Sequence, residues 1–166
     1  MWEEKQQLVV DTSVAIDLFN GGILDVAVKL PYYFLLPDVI LAEELQNPPA
    51  ATFTSAGFIA AGTTGNEMYI VENLSKKYNA PSRNDLFALA IAKSRGLTLL
   101  SGDMVLTNAA RKEKVLVHGT LWVLDQLVSE SIIAGSIAVD ALEKILAEGA
   151  RLPERECSER LKKWRG

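Results

Sequence analysis

The sequence predicts an α/β fold, a three-layer α/β/α domain around a central parallel sheet with extra C-terminal helices. Three observations carry this expectation. Short apolar runs of strand length alternate with helical patterns over residues 8–129, as strands joined by helical crossovers do. Two of those runs stop at an aspartate where the next helix begins: Asp11 after Leu8-Val9-Val10, and Asp103 after Leu99-Leu100-Ser101-Gly102. Finally, 166 residues, 49% of them apolar, suit one compact core. Residues 1–130 are expected to form the α/β domain, and residues 131–166 a helical extension packed on or next to it.

The elements follow in order. After Asp11, apolar residues from Val14 to Phe19 support a short helix that Asn20-Gly21-Gly22 ends, because adjacent glycines supply the left-handed turn. A second helix is expected over 23–30, stopped by Pro31, and Tyr32-Tyr33-Phe34-Leu35-Leu36 reads as the second strand. Pro37-Asp38 starts a helix that runs through Leu45 until Asn47-Pro48-Pro49 breaks it. Between 50 and 64 only Phe58-Ile59-Ala60-Ala61, bounded by Gly57 and Gly62, reads as a strand. An amphipathic helix follows over 66–78. Ser82 then caps a helix over 83–95, Gly96 stops it, residues 97–101 form a strand, and Asp103 starts a helix ending near Lys114. Val115-Leu116-Val117 is the last strand, Gly119-Thr120 opens a helix to about Ser129, and 136–147 and 153–164 are polar-faced helices.

Composition narrows the chemistry. No segment approaches the roughly 18 consecutive apolar residues of a membrane span, and the first five residues lack the order of a signal peptide, so a soluble cytoplasmic protein is expected. Cys157 and His118 are single, which excludes an intrachain disulfide and a thiolate or imidazole metal cage. His118, in a Val-His-Gly-Thr turn, reads as structural, which counts against triad-type catalysis. A net charge of −4 disfavours a surface that grips nucleic acid everywhere. Local basic clusters remain at Lys76-Lys77, Lys93 with Arg95, Arg111-Lys112 with Lys114, and along 151–165, though each also fits a solvated helix face.

The acids are the functional signal. Asp11 and Asp103 leave two strands at the same edge of one sheet, and Asp85 starts the helix that feeds the second of them. Each alone is explained by helix capping, which contributes on the order of 1 kcal/mol. Together they would repel, and a bound divalent cation is the usual resolution. The fourth acid is Glu43 or Glu44. At about 100° per residue Glu44 falls between Ile40 and Leu41, within the apolar face, whereas Glu43 projects to the polar side, so Glu44 is the better candidate. An all-oxygen site suits Mg²⁺ or Mn²⁺ and so phosphate chemistry.

Four stretches in order resemble the PIN domain, a metal-dependent ribonuclease fold: Val9-Val10-Asp11-Thr12-Ser13, residues 37–45, Asn84-Asp85-Leu86-Phe87-Ala88-Leu89-Ala90, and Leu99-Leu100-Ser101-Gly102-Asp103. The resemblance implies metal coordination by Asp11, Glu44, Asp85 and Asp103, with Ser101 near the site and Thr12 or Ser13 helping to position it. It implies RNA as substrate, often a homodimer, and the toxin role of a toxin-antitoxin pair, with an antitoxin protein as partner. Residues 117–125 resemble a prokaryotic PIN subgroup with extra C-terminal helices, described as predicted nucleic-acid-binding proteins. Thr107 departs from the pattern, which often has arginine there, and the paired glutamates blur the register of the second motif.

The expected function is a divalent-metal-dependent endoribonuclease. A non-catalytic PIN-like module that binds RNA or protein is the alternative, with the helical tail, including Leu142, Ile145, Leu146, Leu152, Leu161 and Trp164, either covering the core or meeting a partner. A haloacid-dehalogenase-type phosphohydrolase shares the aspartate after the first strand, but Ser13 stands where its second aspartate is needed.

Overall fold

A computed structural model describes residues 5–166; the expectation for the first residues, that they form no signal peptide, falls largely outside them. Five parallel strands form one sheet in the order β3-β2-β1-β4-β5: β1 (Gln6–Val10), β2 (Tyr32–Pro37), β3 (Ile59–Ala61), β4 (Thr98–Leu100) and β5 (Val117–His118). The chain builds outward from β1 to β3 and then crosses to β4 and β5, so strand order reverses between β1 and β4. Neighbouring helices leave the sheet there in opposite senses and open a crevice beyond the strand ends.

Helices cover both faces, which is why the strands read as continuous apolar runs. On one side α1 (Thr12–Asn20) and α2 (Leu24–Ala27) meet α8 (Thr120–Ser129) and α9 (Gly135–Ala147). On the other, α6 (Arg83–Arg95) lies against β1, β2 and β4, backed by α5 (Gly65–Lys77) and flanked by α7 (Met104–Lys112). Seven consecutive α6 residues, Leu86 to Ala92, are buried, so this helix is enclosed on every side. α3 (Asp38–Glu43) and α4 (Ala50–Ala56) join β2 to β3, and α10 (Glu154–Arg165) packs on α9.

The tail covers the core. Leu142, Ile145 and Trp164 are buried in the same apolar cluster as β1 and α6, and Leu146, Leu152 and Leu161 pack against it. Gly135 opens α9 because nothing larger fits: a Cβ there would lie 2.6 Å from the Trp164 carbonyl oxygen.

Four expected boundaries are corrected. The helix over 23–30 is a single turn, α2; the Lys29 and Leu30 amides bond three residues back, to Val26 and Ala27, tightening the chain ahead of Pro31. The helix after Pro37 ends at Glu43, because the Leu45 amide turns back to the Ile40 carbonyl and draws Leu45 into the core. α4 lay unread between 50 and 56; Phe53 anchors it and Gly57, at φ 119°, terminates it. The last strand is Val117–His118, two residues later than expected, since the Val115 amide still bonds Ala110 of α7. Among the described residues no helix is long and apolar enough to cross a membrane.

Candidate active site

Parallel pairing of Val10 with Leu100 ends β1 and β4 side by side, and the Asp11 amide donates to the Leu100 carbonyl at 2.9 Å. Asp11 occupies the N-cap position of α1 with extended backbone, yet its side chain makes no capping bond. Its Oδ2 instead accepts from the Ser13 and Ser101 hydroxyls, both at 3.0 Å. Each serine also reaches the β4–α7 loop: Ser13 Oγ accepts from the Gly102 amide at 3.0 Å, and Ser101 Oγ from the Asp103 amide at 3.1 Å. One carboxylate and two hydroxyls thus join the strand ends. Burial, and then the neighbouring Asp85 charge, push the Asp11 pKa up to about 6, against the opposing hydroxyl bonds.

Capping does account for the other two aspartates, with one oxygen each. Asp85 Oδ2 accepts from the Ser82 amide while Ser82 Oγ accepts from the Asp85 amide, a reciprocal capping box. Asp103 Oδ1 accepts from the Val105 and Leu106 amides. Asp85 Oδ1 and Asp103 Oδ2 have no hydrogen-bond partner among the described residues. The Asp85 pKa is raised by burial and, more weakly, by Asp103, while its Ser82 bonds oppose the shift. Asp11 therefore feels Asp85, and Asp85 feels Asp103.

Glu44 departs from the helical-wheel expectation. The early end of α3 takes it off the helical track at φ −113°, and it is exposed rather than set in an apolar face. Its Oε2 accepts from Thr12 Oγ1 at 3.0 Å, next to Asp11. Glu43 reaches the other wall, where its Oε2 accepts from Asn84 Nδ2 at 2.9 Å beside Asp85. Both glutamates thus border the crevice. Among the described residues, no three of its acids stand close enough together to grip one ion as they lie.

His118 ends β5 instead of lying in a turn. Its ring stacks on Trp122 with centroids 4.5 Å apart, its carbonyl accepts the Ser101 amide, and burial lowers its pKa, which favours the neutral ring. Thr107 is buried in α7. Several expected basic clusters are consumed internally: Lys77 and Lys93 grip the buried Glu113, Arg95 pairs with Glu67, and Arg160 with Asp125.

Sequence reading missed Asn84 and Asp17. Asn84 adjoins Asp85, and that adjacency was the available signal. Asp17 lies six residues beyond Asp11 between the apolar Ile16 and Leu18; burial raises its pKa, and its Oδ2 accepts from Thr120 Oγ1 at 2.8 Å.

The parallel α/β/α sheet, with aspartates beyond the ends of β1 and β4 where strand order reverses, defines the class of fold. Comparison with protein families matches residues 7–166 to the PIN domain, and the chain belongs to that family. PIN domains are in general nucleases, hydrolases of phosphodiester bonds, and generally use Mg²⁺ or Mn²⁺. This membership leaves the haloacid-dehalogenase alternative without support. No curated protein matches the chain.

Proposed function

We propose that the protein is a divalent-metal-dependent endoribonuclease in which Asp11, Glu44, Asp85 and Asp103 are the metal-ligating and catalytic acids, supported by Thr12, Ser13 and Ser101. Asp11 carries this reading. It is a buried carboxylate that does not cap its helix, and although its two hydroxyl bonds help to join the strand ends, its charge is set against burial and a second acid. The donor set fits the group: apart from the Asn84 amide, the side chains at the crevice offer oxygens of acids and hydroxyls, and mutual repulsion among the acids is relieved by positive charge.

Bound there, Mg²⁺ or Mn²⁺ supplies Lewis acidity and neutralises charge building on the phosphate. The chain's own groups hold the acids ready. Ser13 and Ser101 fix Asp11, Ser82 fixes Asp85, the first turn of α7 fixes Asp103, and Thr12 holds Glu44. Hydrolysis adds water to phosphorus, breaks the bond to the leaving ribose oxygen and places a proton on that oxygen. Without metal, burial and the Asp85 charge hold the Asp11 pKa up at about 6, and a bound divalent cation would keep the carboxylate ionised.

The same proposal includes the toxin role with an antitoxin partner, a homodimer, a cytoplasmic location, and a division near residue 130 into domain and extension. The open spacing of the acids and the exposed Glu44 favour a second reading, a PIN-like module that binds RNA or protein without cutting.

Incubation with mixed-sequence RNA and Mn²⁺, alongside calorimetric Mn²⁺ titration, separates the two. Cleavage that requires the metal and disappears in Asp11→Asn and in Asp103→Asn, with the fold retained, is the expected result. Cleavage surviving both substitutions overturns the assignment. Intact RNA with no metal binding selects the second reading.

A further inference from the structure

A cleft of about 350 Å³ adjoins the acids, between α1 and the loop from α9 to α10. That volume lies at the lower end of small-ligand pockets, which run from roughly 300 to 1,000 Å³, and suits a single nucleotide. Ser13 and Gly102 form its inner wall; the Gly102 amide donates to Ser13 Oγ, which in turn donates to Asp11 Oδ2. The cleft thus begins one hydrogen bond from the buried carboxylate.

Its outer wall presents Arg151. The loop there is set by backbone: Gly149, at φ 93°, reverses the chain, its amide bonds Leu146, and the Ala150 amide bonds Ile145. Leu152 packs against the core on the far side. Arg151 between them is exposed, and no carboxylate pairs with it among the described residues; Arg111 on α7 is likewise unpaired but does not line the cleft, and Arg83, Arg95, Arg155, Arg160 and Arg165 have acidic partners. An uncommitted guanidinium suits a phosphate, which it can grip through two parallel bonds. Asp17, one oxygen of which already accepts from Thr120, and Glu148 also line the cleft; their carboxylates would repel a phosphate and could accept from base amino groups, which leaves Arg151 for the phosphate.

We propose that this cleft seats the nucleotide adjoining the cleaved bond of a single-stranded RNA, with Arg151 on its phosphate and Ile16 and Leu152 against its apolar surface. The inference rests on the nuclease reading of the neighbouring acids. It makes the C-terminal helices part of substrate binding.

The test uses the full chain and a fluorescein-labelled ten-nucleotide RNA. Affinity is read by anisotropy with Mg²⁺ in the Asp103→Asn background across a salt series, and cleavage is read separately in chains with Asp103 intact. Arg151→Ala should weaken binding roughly tenfold, as loss of one charge-assisted contact does, and flatten the slope of log affinity against log salt by about 0.7. Arg151→Lys should fall between, while Arg155→Ala, outside the cleft, and the melting temperatures should not change. Unchanged affinity in Arg151→Ala overturns the subsite whether or not the chain with Asp103 intact cleaves RNA. So does a parent that binds no RNA. Weakened binding in Arg151→Ala, with RNA left whole by the chain with Asp103 intact, keeps the subsite and removes the nuclease reading.

Discussion

Asp11 and Asp103 share a local setting, each the residue before a helix at a strand end, and their side chains diverge. Asp103 caps α7, whereas Asp11 bonds to serines and leaves α1 uncapped. The sign of the resulting pH dependence can be worked out. A carboxyl at 3.8 when unfolded and about 6 when folded takes up its proton first in the native state. Without metal, stability should therefore rise as pH falls from about 6 towards 4, by on the order of 3 kcal/mol. Asp17 and Asp85, also shifted upward, act in the same direction. Asp11→Asn should make the chelated protein more stable than the parent at pH 7 and flatten this trend in urea titrations; a less stable variant would show that the ionised carboxylate is not under strain. Ser101→Ala deletes one donor to Asp11 and the acceptor for the Asp103 amide. The acid limb of the cleavage pH profile should then move upward and the maximal rate drop roughly tenfold, and an unmoved profile would deny Ser101 its positioning role.

At the scale of elements, a few backbone bonds decide where side chains go. α6 was legible to the residue because its punctuation is local: Ser82 and Asp85 form the cap and Gly96, at φ 64°, ends it. α3 was not, since its early end depends on Leu45 finding the core, and that end puts Glu44 beside Thr12. Glu67 shows one side chain fastening several elements. It completes the α5 capping box with Thr64 and pairs with Arg95, in the last turn of α6, at 2.8 Å. Its pKa is lowered to about 2, first by the Arg95 hydrogen bond, so its contribution is present above about pH 4.5 and is lost as pH falls towards 2. Glu67→Gln should cost about 2 kcal/mol at pH 7, less than the roughly 3–5 of a fully buried pair, because Arg95 is 30% exposed and can rehydrate. The acid unfolding midpoint should shift accordingly in circular dichroism; no change would mean that Arg95 contributes nothing to holding α5.

For the whole molecule, the sheet order places the reversal between β1 and β4, and the apolar cluster runs unbroken from β1 through α6 to α9 and α10. Trp164, two residues from the end of the chain, is 8% exposed. Trp164→Ala should therefore cost about 3 kcal/mol and lower the melting temperature while leaving one cooperative transition. A separate early transition for the tail would show instead that α9 and α10 melt apart from the sheet.

Periodicity, turn residues and caps were enough to read the α/β class, most of the helices, and three aspartates at element junctions, because each depends on neighbours within about one turn of chain. The missed α4, the displaced β5 and the early end of α3 depend on contacts distant in sequence, where burial of Phe53 or Leu45 outweighs local preference. The same holds at the crevice. Sequence alone identified Asp11 as a carboxylate at a strand end that capping by itself could explain, and grouped it with Asp85, Asp103 and Glu44 as an expected metal ligand. The fold decided that it caps nothing, because pairing of β1 with β4 brings Ser101 within 3.0 Å of it and buries its charge against Asp85.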